Sequence, residues 1–92
     1  MDQIAMKARV TGHVQGVAFR AWTRSRADRL GLSGWVCNED NGSVSALFDG
    51  EKDAVQTMID ELWEGPGAAS VSDVQTEMAD HDTTLKGFRI RR

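Results

Sequence analysis

Two glycines, Gly12 and Gly16, separate a predicted strand from a predicted helix, and Arg20 follows in the first turn of that helix. Where a strand, a glycine-containing turn and a helix start meet, several backbone N–H groups are left without intrahelical partners. These groups can donate to an oxyanion, which the positive end of the helix dipole also attracts. The stretch from Gly12 to Arg20 therefore predicts a site for a phosphate or carboxylate group.

Arg20 is an unusual residue for its position, because cations are disfavoured in the first turn of a helix. Arg24 lies one turn further along, and like charges at this spacing repel each other by about 0.2–0.5 kcal/mol. An anion bound between the backbone amides and the guanidinium would reverse the sign of both effects. The alternative, an arginine that only extends into solvent, stays open at this point.

The elements that position these residues follow from apolar periodicity. The second helix has the clearest pattern, a broad apolar stripe from Ala54 to Trp63 at helical spacing. Residues 1–3 are expected to fray. The other predicted elements are a first helix at about Ala18–Leu30 and strands at about Ile4–Val14, Ser33–Asn38, Ser43–Asp49, Val71–Met78 and Gly87–Arg91.

The predicted order is β-α-β-β-α-β with a short extra terminal strand. This order favours an α+β fold, the split βαβ or ferredoxin-like sandwich. Right-handed crossovers put both helices on one face of a mainly antiparallel sheet. Since 92 residues suffice for one modest core, residues 1–92 are predicted to form a single domain.

Asn38 ends the second predicted strand, which runs parallel to the first strand and next to it or close to it. This end of the strand is therefore expected to approach the loop from Gln15 to Arg20. An asparagine side chain offers both a donor and an acceptor, which can hold a water while it attacks an electrophile. In the alternative interpretation, Asn38 only opens the turn at Glu39–Gly42.

Charge is distributed unevenly, although the net charge is −3. An acidic chain argues against general nucleic-acid binding, which usually requires a basic face. Four arginines crowd the first helix with only Asp28 opposing them: Arg20, Arg24, Arg26 and Arg29. A local basic region on an acidic body suits a small anionic ligand. An ordinary solvated helix face, with Arg24 and Asp28 as an i,i+4 pair, is the alternative.

A single cysteine, Cys37, excludes an intramolecular disulfide and fits a reducing compartment. No apolar run has transmembrane length and no export signal is visible, so a soluble, cytoplasmic protein without a membrane partner is expected. A monomer is expected because no large extra apolar stripe is visible. His13, His81 and Cys37 do not have the spacing of metal ligands, and neither a metal nor a cofactor is predicted. His13 is interpreted as a strand-end polar residue and His81 as a surface residue. Trp22, Trp35 and Trp63 are interpreted as packing residues.

Two motifs together resemble the acylphosphatase family. The resemblance covers nearly the whole chain, including Leu30-Gly31-Leu32, Gly65-Pro66 and Phe88-Arg89-Ile90, and the two motifs at the right spacing make it specific. Its main motifs are Gly12-His13-Val14-Gln15-Gly16-Val17-Ala18-Phe19-Arg20 and Gly34-Trp35-Val36-Cys37-Asn38, followed by Gly42-Ser43-Val44 and Gly50.

The resemblance implies hydrolysis of the carboxyl–phosphate anhydride of acyl phosphates to a carboxylate and inorganic phosphate. It implies a reaction without a metal ion or a covalent phosphoenzyme. By position in the motifs, Arg20 is expected to bind the phosphate and Asn38 to orient the attacking water. Backbone amides are expected to bind the phosphoryl oxygens, and they belong to Gln15, Gly16, Val17, Ala18 and Phe19.

A fold does not determine a function, so a non-catalytic module that binds a small anion on the same fold is the main alternative. Asn38 would be unnecessary in such a module. An RNA-recognition module is disfavoured because residues 43–48 lack the Arg/Lys-Gly-Phe-x-Phe pattern of such a sheet.

Overall fold

A computed structural model of the protein describes residues 2–91. Its strands and helices follow one another as the periodicity predicts. Gln3 pairs with Glu51, so the prediction of a frayed start is wrong for Gln3, while Met1 lies outside the described residues. The elements in chain order are β1 (Gln3–His13), α1 (Phe19–Arg29), β2 (Ser33–Asn38), β3 (Val44–Glu51), α2 (Lys52–Leu62), β4 (Ser70–Ala79) and β5 (Phe88–Arg91).

The five strands form one sheet in the order β4-β1-β3-β2-β5. β1 is antiparallel to β3 and β4, β2 is antiparallel to β3, and β5 adds to β2 in parallel. β1 and β2 therefore run in the same direction with β3 between them, which is the split βαβ arrangement. The ferredoxin-like prediction is confirmed, and the first and last residues of most elements shift by one or two positions.

Both helices cover the same face of the sheet: α1 packs on β2 and β5, and α2 packs on β1 and β3. α2 buries Val55, Met58, Ile59 and Leu62, which recur at the spacing of one helical face. The apolar stripe ends there. Trp63 is the residue after the helix and is 50% exposed, so its interpretation as a packing residue is wrong.

β2 carries its side chains alternately to the two faces of the sheet. Val36 is fully buried in the core beneath the helices. Asn38 therefore faces the helix side as well, beside the start of α1. Trp35 and Cys37 face the opposite, open side, where Trp35 lines a groove with Lys7.

The loop after β4 is fixed to the open side of the sheet through Asp49, which is only 4% exposed. Nδ1 of His81 lies 2.5 Å from Oδ1 of Asp49. The backbone N–H of Asp82 donates to Oδ2 of the same carboxylate over 2.8 Å. His81 thus has a buried partner in β3, which its position in a polar loop did not indicate. None of the helices within residues 2–91 has the length and apolarity that a membrane crossing requires.

Candidate active site

The two glycines of the loop between β1 and α1 are needed for different reasons. Gly12 has φ +123°, and a Cβ there would lie 2.2 Å from the backbone oxygen of Ser70 in the neighbouring strand. The pairing of β1 with β4 shifts register at this point, between Thr11 and Gly12. Gly16 has φ +75° and open space around it, so it is the backbone angle that favours glycine. Gly12 therefore permits the irregular, close pairing with β4 near the end of the strand, and Gly16 turns the chain toward the helix.

Ala18 is the N-cap of α1 and has φ 61° and ψ 24°, the left-handed conformation. This conformation costs a residue with a Cβ about 1–2 kcal/mol. Such local strain concentrates at functional sites. Here it turns the chain directly into the helix, and the N–H of Trp22 closes the first turn by donating to the Ala18 oxygen over 3.0 Å.

The start of α1 is open to an anion. No side chain caps it and no acidic residue lies in its first turn. The N–H groups of Phe19, Arg20 and Ala21 precede the first intrahelical donor, so the helix itself cannot satisfy them. Together with the positive end of the helix dipole, they form a site that favours negative charge.

A pocket of about 220 Å³ lies at this helix start. Residues of both motifs line it, and those that sequence analysis predicted for the site are Gly16, Ala18, Phe19, Arg20 and Asn38. Arg20 and Asn38 are 18 positions apart in the sequence and meet here because β2 returns beside the start of α1. The pocket has room for a small anion with a short organic group.

The rest of the lining is apolar, and sequence analysis missed it. Val14, Ala21 and Ile90 complete the pocket. Ile90 comes from β5, where it pairs with Val36 of β2 and remains 39% exposed. A single apolar residue near the end of a chain gives no signal of a pocket, and only the parallel pairing of β5 with β2 brings it there.

Two residues predicted for the loop do not line this pocket. Val17 packs against the hydrophobic core. Gln15 directs its side chain to the hairpin between β2 and β3, where Nε2 donates to the backbone oxygens of Glu39 and Ser43, each over 2.8 Å. Gln15 thus connects the loop to the residue that follows Asn38.

The arginines of α1 differ in their partners. Arg24 pairs with Asp28 over 3.8 Å, with both side chains more than half exposed, so this pair contributes little stability. Arg26 forms an ion pair of 3.0 Å with Glu61 of α2. Arg20 forms no ion pair within residues 2–91. The i,i+4 interpretation is therefore correct for Arg24, whereas the Arg20 guanidinium keeps its charge available at the pocket.

Asn38 has a buried Oδ1 atom that no donor within residues 2–91 reaches. A buried acceptor without a partner costs about 1–3 kcal/mol. Thr23 Oγ1 is also buried without a partner, but Thr23 lies inside α1 and away from the pocket lining. The side chain that closes the turn by hydrogen bonds is that of Asn41 and not that of Asn38. The Asn41 Oδ1 atom accepts from the Ser43 N–H at 3.0 Å and from the Ser43 Oγ at 2.6 Å.

Cys37 is adjacent to Asn38 in sequence but belongs to the other face of the sheet. Its Sγ donates to Oε2 of Glu39 over 3.4 Å, and the residue is 8% exposed. Burial, followed by the hydrogen bond to Glu39, raises the pKa of the Cys37 thiol. Hydrogen bonds from Ser45 and from Cys37 lower the pKa of Glu39 in turn. The thiol is thus held in its protonated form, away from the pocket.

Larger concavities lie elsewhere on the protein. One of about 430 Å³ runs over the open face of the sheet, between Arg9 and Trp35, and another of about 650 Å³ lies beside Met6 and Met78. Neither combines a helix start with an unpaired cation and a buried unsatisfied acceptor. Within residues 2–91, no three His, Cys, Asp or Glu side chains are grouped to bind a metal ion. The smaller pocket at Arg20 is therefore the candidate active site.

Comparison with known proteins places the chain in one family. The acylphosphatase family model matches residues 6–90. An acylphosphatase of Rhizobium meliloti (strain 1021) is 54% identical over 91 residues, which are 99% of this chain and 96% of that protein.

Solved structures give the same result. An acylphosphatase from Coxiella burnetii superimposes with a TM-score of 0.90 at 38% identity, covering 98% of this chain and 94% of that one. An acylphosphatase from Bacillus subtilis gives a TM-score of 0.93 at 30% identity, covering 97% of this chain and 99% of that one. Sequence and fold are thus both similar to acylphosphatases over nearly their full length.

Proposed function

Since this chain belongs to the acylphosphatase family and is an acyl phosphate hydrolase, we propose that a water oriented by Asn38 attacks a phosphoryl group bound by Arg20. The water oxygen forms a bond to phosphorus while the bond from phosphorus to the carboxyl oxygen breaks. The carboxylate leaves with the electron pair, and the protons of the water pass to phosphate and solvent. The products are a carboxylate and inorganic phosphate, and no step uses a metal ion.

The observation that carries the proposal is the convergence, in the lining of one pocket, of Arg20, which has no ion pair within residues 2–91, and Asn38, whose Oδ1 atom is buried without a donor. A module that merely bound an anion needs the first of these groups and has no use for the second. An asparagine amide offers both a donor and an acceptor, so a water bound to the Asn38 amide would be held in one orientation. Binding and attack are thereby assigned to different motifs.

Arg20 suits the phosphoryl group because its planar fork can donate to two oxygens at once. The N–H groups at the start of α1 add donors on the same side. We assign the binding of phosphoryl oxygens also to the backbone amides of the loop before the helix and of the first helical residue. These residues are Gln15, Gly16, Val17, Ala18 and Phe19. This set of donors supplies positive charge where the transition state concentrates negative charge.

The leaving group explains why two side chains suffice. Phosphoryl transfer passes through a loose transition state, so positioning and electrostatic stabilisation do most of the catalysis. A carboxylate departs without a strong general acid. His13 is exposed at the end of β1, and the proposal assigns it no proton transfer.

We further propose that residues 1–92 act as one catalytic domain, a cytoplasmic monomer whose partners are the acyl phosphate and phosphate alone. Cys37 is a free thiol, which fits a reducing compartment. The net charge of −3 disfavours a nucleic-acid partner.

The experiment is release of phosphate from benzoyl phosphate by the purified protein in excess EDTA. The proposal predicts turnover well above spontaneous hydrolysis and an equal rate with and without EDTA. A folded protein that is no faster than the spontaneous reaction would favour the anion-binding module. A rate that EDTA abolishes and added metal restores would contradict the metal-free mechanism.

A further inference from the structure

We propose that Gln15 is a positioning residue, whose side-chain amide sets the distance between the phosphate loop and Asn38. The phosphate loop is defined here as residues 15–20. This inference rests on the proposed function, because it concerns how the two groups of that mechanism are held together. Gln15 itself does not line the pocket.

The Gln15 amide joins two parts of the chain that are distant in sequence. Its Nε2 donates to the backbone oxygen of Glu39 over 2.8 Å and to that of Ser43 over 2.8 Å. An amide nitrogen carries two N–H groups, so both are used here. The acceptors lie 24 and 28 positions further along and flank the turn of the β2–β3 hairpin. Of the loop residues, Gln15 is the one whose side chain hydrogen-bonds this hairpin.

The hairpin does not need Gln15 in order to close. The Glu39 oxygen already accepts from the N–H of Gly42 at 3.2 Å, and the Ser43 oxygen already accepts from the N–H of Glu39 at 2.9 Å. Asn41 adds two further hydrogen bonds across the turn. Gln15 supplies each carbonyl with a second donor, so its removal leaves neither oxygen unpaired. What the amide contributes is the connection between the loop and the hairpin.

The hydrogen bonds of Gln15 connect the phosphate loop to the residue next to Asn38, so they affect the distance between the two proposed catalytic groups. Glu39 directly follows Asn38, and Gln15 begins the segment that ends at Arg20. The loop from Gln15 to Arg20 contains Gly16, which has open space beside it. Packing therefore holds this part of the loop only weakly. Reacting groups that shift by about 1 Å can lose about 10²-fold in rate. An anchor at the β1 end of the loop limits such shifts between the bound phosphoryl group and the water on Asn38.

The test replaces Gln15 by Met, which keeps its length and removes both donors, and by Asn, which keeps the amide and cannot reach as far. Gln56→Met is the matched control, because Gln56 is an exposed glutamine of α2 that donates only to Asp60 one turn away. We expect both Gln15 variants to lower kcat by about 10- to 100-fold. The inhibition constant for inorganic phosphate should rise by far less than kcat falls, since Arg20 and the N–H groups at the start of α1 are held by the helix and not by Gln15. Gln56→Met should leave both constants unchanged.

A double-mutant comparison separates positioning from general destabilisation. In the Arg20→Lys background, which keeps a measurable rate, Gln15→Met should cause a smaller loss of rate than in wild type, because the phosphoryl group is no longer held in the orientation that Gln15 aligns with Asn38. Three results would each overturn the inference: kcat within two-fold of wild type, a phosphate inhibition constant that rises in proportion as kcat falls, or losses that multiply in the double variant.

Amide order parameters test the inference without turnover. If the wild-type protein fails to hydrolyse benzoyl phosphate, the proposed function fails while the positioning role can still be measured. In Gln15→Met, the backbone order parameters of Gly16 and Val17 should fall from rigid values of about 0.85 toward 0.6. Unchanged values in a folded variant would contradict the role of the Gln15 amide. The same spectra show whether either Gln15 variant fails to fold.

Discussion

Replacing Arg20 with lysine is expected to lower the rate of benzoyl phosphate hydrolysis by about 10²–10³-fold, the usual effect of losing one preorganised donor to a transition state. Lysine keeps the charge, but a point ammonium cannot reproduce the two parallel donors of the guanidinium. Arg20→Ala removes the charge as well and should abolish both turnover and the binding of inorganic phosphate. Steady-state kinetics measure turnover, and calorimetric titration with inorganic phosphate measures binding in the inactive variants.

Arg24→Lys is the matched control for this substitution. Arg24 lies one turn further along the same helix, and its partner is Asp28 on the surface. The control should keep wild-type kinetics, because exposed pairs of this kind contribute little. Equal behaviour of the two lysine variants would show that the Arg20 guanidinium is not the phosphate ligand.

Replacing Asn38 with alanine is expected to abolish turnover and to leave the binding of inorganic phosphate, measured by calorimetric titration, nearly unchanged. The phosphoryl donors belong to α1 and the loop before it, whereas Asn38 belongs to β2. Stability should not fall in parallel with activity, because the Asn38 Oδ1 atom has no hydrogen bond to lose within residues 2–91. Kinetics and thermal unfolding of the same preparation test the two statements together.

Asn41→Ala provides the opposite pattern as a control. Asn41 accepts two hydrogen bonds from Ser43, each worth about 0.5–1.5 kcal/mol of net stability. This variant should lower the unfolding temperature and retain more activity than Asn38→Ala. If Asn38→Ala weakened phosphate binding as much as Arg20→Ala, the division of roles between the two motifs would be wrong.

Apolar periodicity predicts this fold well because each element carries its own signal. The stripe of α2 places Val55, Met58, Ile59 and Leu62 in the core. The alternation of apolar and polar residues in β1 likewise places Ala8 and Val10 in the core. The prediction that Trp63 is a packing residue is wrong because periodicity does not say where a helix ends. The helix ends at Leu62, and the next residue, Trp63, is exposed to solvent.

The site was predictable in its residue types and unpredictable in its connections. Arg20 breaks a local rule of helix electrostatics, which can be recognised from sequence alone. The hydrogen bonds of Gln15 reach carbonyls 24 and 28 positions away, and any backbone offers such carbonyls, so no pattern marks them. Asp49 and His81 are a similar case, joined across 32 positions by the packing of a loop on the sheet.

The most direct measurement of the mechanism is hydrolysis of benzoyl phosphate in water enriched in ¹⁸O, corrected for the spontaneous reaction. Attack of the Asn38-bound water on phosphorus predicts one labelled oxygen in the phosphate and none in the benzoate. Label in the benzoate would mean attack on the carbonyl carbon. That result would contradict the central claim, that Arg20 and Asn38 act on the same phosphoryl group.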